Sequence, residues 1–220
     1  GDDAGPVNLA VVGTLASTRL TAALKGFAEA HPGVQLGVRT ATSAEVGELV
    51  RIGEAHIGLR YHLDASPDVA CEVLGAEPLV VACAPAHPLA GRRIRTLAEL
   101  SGEPWLAFPD VPSRRELAAA HVFAVFLTKG LGEVAWTAVD SLTAQKRLVE
   151  AGFGIALVPQ SSVAEEQAAG SVALIDVADL DAAQPIVAVT RRQGFLSAAA
   201  RRLLDLLRSS YAHASRADLG

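Results

Sequence analysis

Apolar residues in this chain follow two alternating rhythms. The run Val7-Asn8-Leu9-Ala10-Val11-Val12 is nearly all apolar, as expected of a short strand covered on both faces. Gly13 to Thr18 then turns into a segment with Leu20, Leu24 and Phe27 at helical spacing, closed by Pro32-Gly33. Val34, Leu36 and Val38 alternate with Gln35 and Gly37 as a second strand. Thr42 and Glu45 have capping-box spacing ahead of Val46, Leu49 and Val50, and Ala55 to Arg60 supplies a third strand. This strand–helix alternation predicts right-handed crossovers and a largely parallel sheet.

After a polar loop from Tyr61 to Asp68, Val69 to Leu74 and Leu79 to Cys83 read as two further strands, and the pattern restarts beyond Pro85. Thr96 with Glu99 forms a capping box. Trp105 to Phe108 is a strand, and Ser113 with Glu116 opens a helix to about Thr128. Val134 to Val139 is a strand; a helix capped at Asp140-Ser141 ends at Gly152, turns on Gly154 and runs into a buried strand from Ile155 stopped by Pro159. Ser162 and Glu165 cap a short helix, and Val172 to Ile175 is a strand. Pro185 to Val189 is a strand that returns to the first sheet. The last helix turns Leu196, Ala199, Ala200, Leu203, Leu207 and Tyr211 inward and Arg201, Arg202, Asp205 and Arg208 outward. The expected α/β architecture is two-lobed: subdomain I from residues 6–84 and 186–214, subdomain II from 85–185, with a ligand crevice between them.

Composition narrows the function classes. At 220 residues, half hydrophobic and 20% charged, the chain buries a substantial core, which excludes disorder. No apolar run approaches the ~20 residues of a membrane span, so no membrane partner is expected. A net charge of −5 argues against this chain gripping nucleic acid by itself. Arg92, Arg93 and Arg95 read as a solvated connector, and Cys71 and Cys83 as buried reduced thiols of a cytoplasmic protein. The absence of methionine and the opening glycine suggest a piece of a longer protein.

Enzyme signatures are lacking, so no catalytic residue is assigned. Gly152-x-Gly154 follows a helix instead of opening one and fails the context for a dinucleotide fingerprint. His56 and His62 could approach each other, yet no third ligand is spaced to complete a metal site, and no cofactor is expected. What the pattern does offer is helix N-termini beyond the carboxyl ends of strands, where open α/β sheets bind ligands. Hydroxyls gather there: Thr14, Ser17 and Thr18; Thr40, Thr42 and Ser43; and Ser141. Helix dipoles and unspent N–H groups favour an anion, most simply a carboxylate. Each hydroxyl has a plainer reading as the cap of its own helix. Arg60 adds charge or pairs on the surface, and Phe108 with Pro109 forms an apolar wall or ordinary core and turn.

From about Val7 to Tyr211 the chain resembles the effector-binding domain of LysR-type transcriptional regulators. The resemblance is carried by Phe27-Ala28-Glu29-Ala30-His31-Pro32-Gly33-Val34, Gly53-Glu54-Ala55-His56-Ile57-Gly58-Leu59-Arg60, Ala86-His87-Pro88-Leu89, and Val139-Asp140-Ser141 running to Gly152-Phe153-Gly154-Ile155-Ala156-Leu157-Val158-Pro159. It implies a type II periplasmic-binding-protein fold with two mixed, mostly parallel sheets. Its hinge strands would fall near Ala82 to Pro85 and Gln184 to Ile186. It also implies a small organic effector at Thr14, Ser17, Thr18, Thr42, Ser43, Phe108 and Ser141. By the same resemblance, copies pair antiparallel, with the helix Thr18 to Ala30 beside the partner's Arg114 to Thr128, in a dimer and, for the full-length protein, a tetramer. Promoter DNA would be bound by an N-terminal winged helix-turn-helix that this chain lacks. The family usually has an aspartate where this chain has His56. The alternative is a solute-binding protein of a transport system with the same fold.

Overall fold

A computed structural model describes the backbone of residues 4–108 and 117–217. Pro109, the Ser113–Glu116 capping box and the Arg114 end of the expected dimer helix lie outside the described residues. In chain order the elements are β1 (Gly5–Val12), α1 (Thr18–Ala30), β2 (Val34–Ala41), α2 (Ser43–Arg51), β3 (Ile57–Tyr61), β4 (Val69–Cys83), β5 (Arg93–Ile94) and β6 (Trp105–Ala107). There follow α3 (Leu117–Thr128), β7 (Trp136–Ala138), α4 (Leu142–Glu150), β8 (Ala156–Pro159), α5 (Ala164–Ala169), β9 (Ala173–Val177), β10 (Ala183–Arg191) and α6 (Ala198–Ala217). The chain divides into two compact units, Gly1–Ala76 with Pro185–Gly220, and Glu77–Gln184.

In the first unit β1 pairs in parallel with β2, from Gly5↔Val34 to Val12↔Ala41, and with β3 at Leu9↔Ile57. The returning β10 joins antiparallel to β3. Both faces of β1 are covered. Gly58, the partner of Ala10, abuts Val46 and Val50 of α2. By alternation Val7, Leu9 and Val11 take the other face, where α6 packs on β1 and α1 on α6. Leu20, Leu24 and Phe27 are the buried stripe of α1, as the spacing predicts.

The second unit shows the two-residue rhythm most plainly. Leu79, Val81, Cys83 and Leu157 enter one core cluster with Trp105, Phe126 and Ile175, while Ala82, Ala156 and Val158 enter another with Leu106, Val149 and Val163. A sheet covered on both faces needs apolar side chains in both parities, which explains why these strands are apolar without interruption. Trp105 anchors the first cluster: it is fully buried, its indole N–H donates to the Leu100 carbonyl at 3.0 Å, and its ring meets Phe126 edge-on at 4.8 Å.

Four sequence expectations change. The two strands expected over Val69–Leu74 and Leu79–Cys83 are one, β4. Pro78, which has no N–H, lies inside it, just before β4 takes β8 (Leu79↔Pro159) and β9 (Val81↔Ile175) as partners. The crossing between units therefore falls at Ala76–Glu77, within β4, and Pro85 only ends the strand. Ser162 does not cap α5; its hydroxyl donates back to the Pro159 carbonyl at 2.6 Å, and a 3-10 turn over Gln160–Val163 precedes the helix. Cys71 is half-buried, not buried.

Arg60 is spent inside the fold. Its side chain is 3% exposed and its Nη1 lies 2.7 Å from Asp64, 17% exposed, while Nε donates to the Tyr61 carbonyl. Removing one partner of such a pair leaves a desolvated charge, so Arg60→Leu is expected to destabilise the protein by about 3 kcal/mol, and Asp64→Asn by less, in urea denaturation. Burial pushes the Cys83 thiol up to about 11, so thiolate is scarce near neutrality. Iodoacetamide at neutral pH should label Cys71 in the native protein and reach Cys83 only after denaturation; mass spectrometry of the two peptides checks this.

Candidate functional site

The hydroxyls of the first unit gather where the register requires. Val12 pairs with Ala41, so the turns leaving β1 and β2 are neighbours, and Tyr61 ends β3 beside them. Thr14 Oγ1 donates to the Tyr61 hydroxyl at 3.0 Å, and Tyr61 is fully buried. Ser17 is the N-cap of α1 in extended backbone geometry, but its side chain makes no capping hydrogen bond. The next residue, Thr18, is exposed. The first turn of α1 carries no acidic residue. No side-chain cap and no carboxylate of its own therefore offset the dipole at this helix end.

Thr42 and Ser43 behave differently. Thr42 Oγ1 accepts from Glu45 N at 3.3 Å, and Glu45 Oε2 accepts from Thr42 N at 2.9 Å, closing a full capping box. The Glu45 carboxylate occupies that helix end, and Ser43 is fully buried. Thr42 thus fills the plainer capping role, which Ser17 does not fill at α1.

In the second unit Ala107 pairs with Ala138, so Phe108 and the start of α4 are adjacent. Ser141 is exposed and caps α4 by accepting from Ala144 N at 3.3 Å; Phe108 is half-buried. Gly152, at φ +81°, closes α4, and a Cβ on Gly154 would sit 2.6 Å from the Pro104 carbonyl, so this turn accepts only glycine without rearrangement.

Two residues escape a reading by sequence. Tyr61 is visible only as an aromatic at a strand end. Gln145 sits four residues before the buried Val149 on the inward stripe of α4, is 2% exposed, and donates from Nε2 to the Leu106 carbonyl at 3.0 Å. That carbonyl lies where β8 leaves β6: Leu106 N still donates to the Ile155 carbonyl at 2.8 Å, but Leu157 pairs with Val81 of β4. Gln145 Oε1 is buried without a hydrogen-bond partner. The side chain thus relieves one orphaned acceptor and creates another, each worth about 1–3 kcal/mol, so its net contribution to stability is small.

Among the described residues no group of three or more His, Cys, Asp or Glu side chains could hold a metal ion, and no helix is long and apolar enough to cross a membrane. His56 lies at the start of β3, the opposite end from Tyr61 and the hydroxyls.

The model of the LysR substrate binding domain matches residues 1–212. The chain belongs to this family. The HTH-type transcriptional regulator CatR of Pseudomonas putida is 31% identical over 175 residues, 79% of this chain and 58% of CatR. The chain spans about three-fifths of the length of its curated relatives. The BenM effector binding domain with its effector benzoate superposes with a TM-score of 0.80 at 24% identity, covering 96% of this chain and 94% of that one. The effector binding domain of QuiR in complex with shikimate gives 0.78 at 17% identity, covering 96% and 98%. The fold is therefore the two-lobed, type II periplasmic-binding-protein-like fold of LysR effector-binding domains.

His56 places an acceptor beside β1. Its Nδ1 accepts from Asn8 N at 2.9 Å and its own N–H donates to the Asn8 carbonyl at 2.9 Å. An imidazole accepting at Nδ1 carries its proton on Nε2. His56→Asp should preserve stability, because a carboxylate accepts the same N–H, whereas His56→Leu should cost about 1 kcal/mol in chemical denaturation.

Proposed function

We propose that this chain is the effector-sensing and oligomerising domain of a LysR-type, DNA-binding transcriptional regulator of the cytoplasm, and that its effector is a small organic carboxylate. The observation that carries the effector class is the N-terminus of α1: an N-cap serine whose side chain does not cap, an exposed Thr18 and Thr14 nearby, with no acidic residue in the first turn. Such a helix end favours a negative charge. Thr14, Ser17 and Thr18 are the first unit's contacts, with Thr42 and Ser43 lending structural support. Phe108 and Ser141 are the contacts of the second. Benzoate and shikimate, the ligands named for two structures of this fold, are both carboxylates, which supports the class.

Sensing requires the effector to bind one conformation better than another, and it shifts the balance by no more than that difference in affinity. Promoter DNA would be held by a domain outside this chain; the net charge of −5 suits a sensor better than a phosphate-gripping surface. Self-association is supported by Leu127 of α3, 70% exposed, and Trp136 of β7, 41% exposed. No chemical step is proposed.

Thermal-shift measurements against paired organic acids and their neutral amides test the effector class. Carboxylates should raise the melting temperature and their amides should not. Ser17→Ala should weaken the responding acid about five- to tenfold while leaving unliganded stability unchanged, since that hydroxyl caps nothing. Stabilisation by neutral or cationic compounds alone would overturn the proposal.

A further inference from the structure

Gln145 stands in the second turn of α4, and its Cβ leans toward the helix N-terminus, so tension on its amide acts on the turn that carries Ser141. That turn is already coupled to it: Gln145 N donates to the Ser141 carbonyl at 2.9 Å, and Ala144 N to Ser141 Oγ at 3.3 Å. The other end of the tether is the Leu106 carbonyl, two residues before Phe108. An apolar side chain of the same volume would only exchange one unpaired acceptor, Gln145 Oε1, for another, the Leu106 oxygen. What the amide adds is direction, since a hydrogen bond fixes the helix end relative to the strand end and an apolar contact does not.

We propose that Gln145 is the positioning residue of the second unit's effector contacts, holding the Ser141 end of α4 in place against the Phe108 end of β6. The proposal rests on the reading of Ser141 and Phe108 as effector contacts and adds the device that aligns them. Gln145 itself touches no effector: it is 2% exposed and acts through the turn.

The test compares the whole chain with Gln145→Leu and with Gln145→Met, which matches the length and shape without a donor. It follows amide exchange by NMR and uses benzoate as the carboxylate probe. The expected result is a melting temperature within about 3 °C of the parent. Exchange should be about tenfold faster at the amides of residues 144 and 145, with those of Leu148 and Val149 unchanged, and benzoate binding should be about tenfold weaker. A merely structural role would lower the melting temperature or loosen all of α4 while leaving benzoate affinity intact, and that outcome overturns the proposal. Unchanged exchange at 144 and 145 overturns it as well. Benzoate that fails to bind the parent, or binds Ser141→Ala as well as the parent, sinks the underlying reading of these contacts instead.

Discussion

The N–H groups at the start of a helix have no partner within it, and every strand–helix unit delivers such a set to the rim where its parallel strand ends. In this protein the register between strands decides which sets become neighbours. Val12 opposite Ala41 brings the α1 and α2 termini together, and Ala107 opposite Ala138 brings Phe108 to the start of α4. Everything proposed about ligand chemistry follows from what each terminus does with its donors. α2 closes its own with Thr42 and Glu45; α4 uses one serine; α1 uses no side-chain cap. A carboxylate arriving at α2 would meet Glu45. At α1 it meets N–H groups and hydroxyls.

Much of this was legible in the residues because the fold is written in periodicities. Leu20, Leu24 and Phe27, the nearly unbroken apolar run of β1, and the Thr42–Glu45 spacing are local signals, and local signals survive into the structure. The capping box was readable too: the Thr42–Glu45 spacing predicts it, and both of its hydrogen bonds are present. That β4 runs on through Pro78 has a related reason. A missing N–H breaks a strand only where a partner needs that donor, and partner exchange is a property of the sheet, not of the run. Ser162 had capping spacing too, but the Pro159 carbonyl competed for its hydroxyl. Tyr61 and Gln145 could not be read at all, since their partners lie 47 and 39 residues away.

Three buried polar groups stand at places where the sheet stops being regular. Arg60 and Asp64 tie the end of β3 to the loop that follows, where Asp64 also accepts from Ser66 N. Glu77, just past the crossing and 5% exposed, accepts from Ser161 N at 2.7 Å after β8 has ended. Gln145 fills the gap where β6 and β8 part. Such groups are expensive to bury and return little net stability. Their common property is that each fixes a junction whose geometry apolar packing would leave loosely determined.

The same reasoning separates the roles of the two units. An anion is held most cheaply where a helix terminus has no side-chain cap, which describes α1 better than α4, whose Ser141 has spent its hydroxyl on Ala144. The second unit instead presents Phe108 beside that capped terminus, an apolar surface next to a dipole end. On the proposed function, charge recognition then falls mainly to the first unit, and discrimination among carboxylates by the shape of their apolar part falls to the second. A division of this kind explains why precise placement of α4 against β6 would matter: a charge tolerates a displaced partner, because Coulomb attraction falls slowly with distance, but contact with an aromatic wall is lost within a fraction of an ångström.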